Sequence, residues 1–336
     1  MFIVLEGTDA SGKSTLAAEI KRQLLLEYGD VTLFHKGKPE EETRRWALNE
    51  YGISISKTDW SKRPAIADRW HWGEIAYAPL KRPHTCEEPY GGLLGVAGWR
   101  WIELFMASRG IAQFWVYQPL EVILERLEAR GDDFVTAEEL SMILDGYIDA
   151  HGLVLGLAGT ITAEKDSLDA NEELAKALIQ KAKDKAIAVK PLLRYPEYIG
   201  PPNPQVLLVG DKRNDKTVTL LPFMPVDSNS GDYLLKNLPE DFWRSVGIIN
   251  VDDIGGKRLD SLWIALGKPR IVALGRLAER GLKAAGFIDA QFNVVAHPQY
   301  VRRFHHHDGA LYGSAIKRLS NLEQQLVKAD DPWILR

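Results

Sequence analysis

The stretch LEGTDASGKST at residues 5–15 constrains this chain more than any other part of it. Gly7, four further residues, then Gly12, Lys13 and Ser14 stand between an apolar run, FIVLEG, and a segment, KSTLAAEIKRQLLLEYG, whose apolar positions recur at helical spacing up to Gly29. A loop of this spacing turns successive backbone N–H groups inward, and the helix that follows adds the positive end of its dipole, so the sequence predicts a cradle for phosphate oxygens over Gly7, Thr8, Asp9, Ala10, Ser11, Gly12, Lys13, Ser14 and Thr15. Lys13 is placed to reach the outer phosphates and Ser14 to help hold Mg2+. The four fixed positions would arise by chance in a chain this long only about once in a hundred.

The rest of the chain repeats the alternation of strand and helix. VTLFHKG, PAIADRW and IAQFWVYQP read as strands; WRWIELFMASRG and PLEVILERLEARG read as helices, the latter closed by Gly131. From about Lys181 a charged and then proline-rich stretch, KAKDKAIAVKPLLRYPEYIGPPNP, reads as a linker or an arm laid over a surface. Beyond it QVLLVGD, SVGIINVDD, PRIVALG and QFNVVAHP read as four more strands, with the helix RLAERGLKAAG after the third. At 336 residues this implies two α/β domains, residues 1–185 and 205–336, joined by a linker over 186–204.

Composition excludes several classes. The single cysteine, Cys86, rules out an internal disulfide and a cysteine-rich metal site. No apolar run approaches membrane-spanning length and the N-terminus carries no export signal, so a cytoplasmic location without a membrane partner is expected. Residues 1–200 hold 24 Lys and Arg against 31 Asp and Glu, a net −7, whereas residues 201–336 hold 18 against 15, a net +3. The second half is therefore the better candidate for meeting DNA, although a mixed soluble surface also yields such an excess.

The first 180 residues resemble thymidylate kinases. FIVLEGTDASGKST matches the start of that family, and ADRW at 67–70, EIAYAP, QFWVYQPLEVILERLEARG and LDGYIDA follow in the family's order. The resemblance implies a P-loop kinase fold, a parallel sheet with flanking helices, using ATP and Mg2+. It implies that Asp9 contacts the acceptor sugar, that Arg69 holds the acceptor near the transferred group, and that Asp68 supports the Mg2+ shell. Arg126 and Arg130, four apart on one helix face, would clamp phosphoryl charge from the lid; a solvated face with Glu125 and Glu128 is the other reading. The pattern departs from the family after the second strand, where HKGKPEEETRRW stands in place of a Thr-Arg-Glu-Pro-Gly type motif, so Lys38, Arg44 or Arg45 would have to serve a rebuilt acceptor site. The tryptophans at 60, 70, 72, 99, 101 and 115 read either as a base-stacking wall or, more simply, as core.

Residues 205–320 resemble the uracil-DNA glycosylase superfamily, which implies a second, three-layer α/β/α domain. VLLVGD, LPFMPVDSNSGDYLL, VGIINVDD and VVAHPQYVRRF match its motifs in order. The resemblance implies that Phe223 stacks on a base, Asn250 pairs with its edge, His297 sits over the sugar bond or a phosphate, and Asp211 positions water. GDKRND lacks the Pro-Gly of active members, and the cluster-binding cysteines of the compact bacterial branch are missing. The three histidines of YVRRFHHHD cannot all face one ion, so that stretch reads as a phosphate-facing basic loop with Arg302 and Arg303, or as a solvated turn.

The sequence thus predicts a kinase whose acceptor is a thymidine-type pyrimidine nucleotide. A hydroxymethylpyrimidine in DNA, read by the second domain, is the alternative acceptor, and such fusions resemble phage-encoded enzymes. A DNA-binding or repair module with a nucleotide-dependent switch is a third reading. Thymidylate kinases commonly pair, which implies a homodimer.

Overall fold

The computed structural model describes residues 1–56, 60, 63–86, 92–130, 135–162, 168–212, 221–226, 229–320 and 332–335. Residues 131–134, where the lid begins, and the second half of the GDKRND stretch, residues 213–215, lie outside them. The chain divides into two units: Met1–Gly95 with Gly110–Ala188, and Val96–Arg109 with Val189–Arg336.

The first unit is a five-stranded sheet of β1 (Phe2–Glu6), β2 (Thr32–His35), β3 (Ala65–Asp68), β4 (Ala112–Tyr117) and β5 (Leu157–Thr162), in the order β2-β3-β1-β4-β5. All of its pairings are parallel. Central β1 is buried along its whole length, as its unbroken apolar run requires of a strand covered on both faces. Ile3, Leu5, Phe114 and Val116 pack on one face against Leu16 and Ile20 of helix Lys13–Tyr28 and Leu178 and Ala182 of helix Leu168–Val189. On β1, Phe2 alternates with these residues and joins an aromatic group with Phe34, Trp60 and Trp70. β5 was not among the predicted strands: LAGTIT is an edge strand whose side chains are mostly exposed or half-exposed, so it carries no apolar run to read.

In the second unit β6 (Val206–Gly210), β7 (Val246–Asn250), β8 (Arg270–Leu274) and β9 (Phe292–Val295) form a parallel sheet ordered β7-β6-β8-β9. These are the four strands predicted there. Leu207, Val209, Ile271 and Ala273 face Leu259 and Leu262 of helix Gly256–Ala265 and Ala278 and Leu282 of helix Arg276–Ala284. Helix Gly309–Ser320 packs against β8 and β9 without joining that core, which gives the three expected layers.

Two expectations about organisation change. Of the predicted linker over 186–204, residues 189–204 belong to the second unit: Tyr195, Tyr198 and Ile199 are buried, and Ile199 exchanges backbone hydrogen bonds with Ile248 of β7, at 3.1 and 2.8 Å. Prolines end the preceding helix but do not prevent this arm from covering a strand edge. Helix Gly95–Ser108, read as part of the first domain, supplies residues 96–109 to the second unit. Its buried Arg100 donates through Nη1 to the carbonyls of Leu235 and Leu238, both at 2.7 Å, and through Nη2 to Glu240 at 2.6 Å. Trp101 Nε1 donates to Pro222 O at 3.1 Å.

The tryptophans make no wall. Trp70, Trp72, Trp99, Trp101 and Trp115 are buried, and they are divided between the two units. Their size makes core burial the larger gain. Among the described residues no helix is long and apolar enough to cross a membrane.

Candidate active site

The carboxyl ends of the first unit's strands converge on the loop after β1, where ligands of open parallel sheets bind. Gly7 is held at φ 147°, and a Cβ there would lie 2.4 Å from the Val116 carbonyl of β4. Gly12, at φ 98°, precedes the helix in the left-handed region, and no side chain caps the helix. Its first-turn N–H groups are thus left for an anion. Lys13 is only 4% exposed; its Nζ donates to the Thr8 carbonyl and to Ser11 Oγ, the latter at 3.3 Å. Burial, with the Arg69 charge beside it, pulls the Lys13 ammonium down to about 8, against the opposing pull of Asp68, Asp9 and Glu6.

Ser14 Oγ donates to Asp68 Oδ2 at 2.6 Å, joining the first turn of the helix to the end of β3. Asp68 is buried and its other oxygen, Oδ1, has no hydrogen-bond partner among the described residues. A carboxylate with a free buried oxygen beside a serine hydroxyl is a hard, oxygen-only donor set that fits Mg2+. His35 Nδ1, at the end of β2, lies 3.5 Å from Asp68 Oδ2.

Arg69 follows with φ 69°, and its Nη2 pairs with Asp9. Tyr77 completes this group by donating its hydroxyl to Asp9 Oδ2 at 3.0 Å, with its ring 5.3 Å from the Arg69 guanidinium. The fold brings Asp9 and Arg69, both candidate acceptor residues, into contact, whereas Tyr77, within EIAYAP, carried no signal of its own. Arg126 Nη1 donates to the Ala10 carbonyl at 3.0 Å and sits on the loop, where Ala10 itself is held at φ 58°. Arg130 is not brought there: it is exposed at the end of helix Leu120–Arg130. Thr15, the third residue of the helix, is exposed.

Glu6 was missed by sequence reasoning. It is fully buried at the end of β1, and its Oε1 accepts from the backbone N–H groups of Trp70 and Trp72, each at 3.0 Å. These two bonds straddle the turn that presents Arg69. Burial pushes the Glu6 carboxyl up to about 8, although the Trp72 and Trp70 amides and the Lys13 charge favour its ionised form. The available signal was a lone carboxylate closing an otherwise apolar strand.

The lowered Lys13 value yields a pH prediction. A phosphate chain on Lys13 restores its proton, so binding takes up a proton where free Lys13 is neutral, between about pH 8 and its ordinary 10.5. ATP affinity is therefore expected to fall as pH rises through this window, by up to about tenfold per pH unit, and to level off below it. Glu6 titrates over the same range, so the measurement, calorimetry in buffers of different ionisation enthalpy, belongs on both wild type and Glu6→Gln.

The second unit places its four predicted residues around one cavity of about 230 Å³, which Asp211, Phe223, Asn250 and His297 line. Asp211 follows β6, Asn250 ends β7 and His297 follows β9, again at the carboxyl ends. His297 Nδ1 accepts from the Gln299 N–H at 3.1 Å, which leaves the proton on Nε2, 3.9 Å from Asp211 Oδ1. Burial lowers the His297 pKa against the pull of Asp211. The YVRRFHHHD stretch lies in helix Pro298–Phe304 and a short turn after it, in which His306 and His307 are exposed.

No protein-family model matches the chain. It is similar to the SPbeta prophage-derived uncharacterized protein YorR of Bacillus subtilis strain 168, 26% identical over 178 residues, which is 53% of this chain and 96% of that protein. Among solved structures it is similar to YorR in complex with phosphorylated GDP, at 21% identity and a TM-score of 0.43 over 55% of this chain and 96% of that one. It is also similar to deoxyadenosine kinase from M. mycoides, at 17% identity and a TM-score of 0.34 over 54% of this chain and 98% of that one. Shikimate kinase from Acinetobacter baumannii follows at 14% identity and a TM-score of 0.32, over 55% of this chain and 93% of that one.

Proposed function

We propose that the first unit is a kinase that moves the terminal phosphoryl group of ATP to a pyrimidine nucleotide of thymidine type. The observation that carries this reading is the meeting of Lys13, the Ser14–Asp68 pair and the Asp9–Arg69–Tyr77 group at one end of one sheet. Ser14 and Asp68 would hold Mg2+, which when bound neutralises charge on the phosphate chain. Lys13 and the loop amides hold the donor's outer phosphates. Arg126, anchored on the Ala10 carbonyl, adds positive charge beside them. Asp9, fixed by Arg69 and Tyr77, accepts from a hydroxyl of the acceptor, and Arg69 draws the attacking oxygen toward the terminal phosphorus. A bond from that oxygen to phosphorus forms as the bond to the bridging oxygen breaks, and ADP leaves with the electron pair.

A second reading is favoured by the cavity of the second unit. A flat aromatic ring, an amide and a histidine around a space for one small ring suit an extruded base. On that reading the acceptor is a hydroxymethylpyrimidine in DNA and the second unit holds the base.

The test is to incubate the protein with terminally labelled ATP and either thymidine monophosphate or DNA containing hydroxymethyluracil. Label on the free nucleotide is expected under the first reading and label on DNA under the second. ATP loss without transfer would replace both with a nucleotide-driven switch, and release of free base from uracil-containing DNA would make the second unit a repair activity.

A further inference from the structure

The side chain of Arg69 is fixed at one end only. Its Nη2 pairs with Asp9, while its Nε is buried with no hydrogen-bond partner among the described residues. Where the guanidinium points therefore depends on the backbone that carries it. That backbone lies at φ 69°, in the left-handed region, which a residue other than glycine keeps only when its surroundings impose it.

We propose that Glu6 is a positioning residue for phosphoryl transfer: its side-chain oxygen fixes the turn after β3 and, through that turn, the aim of Arg69 at the acceptor. The proposal rests on the kinase reading of the first unit and adds to it a residue that acts without touching substrate.

The last two residues of β1 take three N–H groups of this turn. Leu5 O accepts from the Arg69 N–H at 2.9 Å, and Glu6 Oε1 accepts from the N–H groups of Trp70 and Trp72, each at 3.0 Å. One oxygen shared by two amides sets the direction of both peptide planes, and the first of these is the peptide that joins Arg69 to Trp70. The indoles of Trp70 and Trp72 are buried too, donating to Tyr51 O at 3.0 Å and to Gln113 Oε1 at 2.9 Å. They anchor the turn in the core, whereas Glu6 orients its peptides.

The carboxyl of Glu6 has no exposed surface, so any effect on the reaction has to pass through its neighbours. Reach, rather than charge, is what the turn requires of it. Its Oε2 is buried with no partner among the described residues, and burial keeps the carboxyl neutral at pH 7. Glutamine has the same reach and the same accepting oxygen. Aspartate keeps the acid but is one methylene shorter, so it cannot span to both amides from the same backbone position.

Transfer of label from terminally labelled ATP to thymidine monophosphate by the full-length protein tests this, with ATP binding measured on the same preparations. Glu6→Asp is expected to lower kcat/KM for the acceptor by about 10²-fold, the loss that about 1 Å of misplacement brings, with the Kd for ATP changed less than about threefold. Glu6→Gln should stay within about fivefold of wild type, because the accepting oxygen is retained. In an Arg69→Ala background Glu6→Asp should cost less than about twofold more, since the residue it acts through is already gone. Wild-type activity in Glu6→Asp would overturn the proposal and leave the kinase reading standing, the indoles then holding the turn unaided. Glu6→Gln as impaired as Glu6→Asp would also overturn it, as would an undiminished effect of Glu6→Asp without Arg69. Loss of ATP binding in Glu6→Asp would contradict it by placing the role of Glu6 in the phosphate loop. No transfer by the wild type, with ATP bound, would overturn the kinase reading and the proposal together.

Discussion

Lys13→Ala is expected to lower phosphoryl transfer by about 10³-fold without lowering the melting temperature. The two halves of this expectation have separate causes. Lys13 is the one loop side chain placed to follow charge along the phosphate chain, so its loss removes an interaction that strengthens as the transferred group departs. In the free protein, however, the same ammonium is buried and its pKa is pulled down, which means that folding works against its charge. Alanine removes that cost together with two local hydrogen bonds. Label transfer and thermal unfolding on one preparation check both halves. A variant that loses activity only because it melts would show that Lys13 serves the loop's structure.

Arg100→Ala is expected to destabilise the protein by about 3–4 kcal/mol, the sum of two buried charge-assisted hydrogen bonds. The guanidinium ties the carbonyls of Leu235 and Leu238, at the end of helix Ser230–Asn237, to a helix that arrives from between β3 and β4. Glu240 is half-exposed and adds little. Lysine in this place should restore only part of the loss, because one ammonium cannot reproduce the fork that spans two carbonyls and a carboxylate. Urea unfolding followed by tryptophan fluorescence measures it. The same packing implies that residues 205–336 alone form no stable domain, since they lack both Arg100 and the Trp101 bond to Pro222.

How much of this could be read from the sequence depended on whether the signal was local. The loop from Gly7 to Ser14 was legible because its chemistry requires glycines and a lysine at fixed spacing. β6 to β9 were legible because each is a short buried run. Asn250 and His297 were placed by resemblance, and the fold brings them to one cavity with Asp211 and Phe223.

What escaped is non-local. Nothing in WRWIELFMASRG says that this helix packs with residues a hundred positions later, because helical periodicity reports a buried face and not its partner. The stretch Val189–Ile199 reads as a linker or a surface arm because prolines interrupt it, and its pattern does not show that its tyrosines are buried. Glu6 looked like the end of a strand, and only the approach of the Trp70 and Trp72 amides gives its carboxylate a task. Arg126 and Arg130 looked equivalent four residues apart, but the loop meets only the first.

The account rests on the loop after β1 as a seat for a triphosphate with a divalent cation held by Ser14 and Asp68. Titrating ATP into the full-length protein by calorimetry, with and without Mg2+, addresses this directly. One site per chain is expected, weakened at least tenfold when Mg2+ is withheld or Asp68 is changed to Asn, and lost in Lys13→Ala. ATP that fails to bind, or binds equally well to wild type and Lys13→Ala, would contradict it.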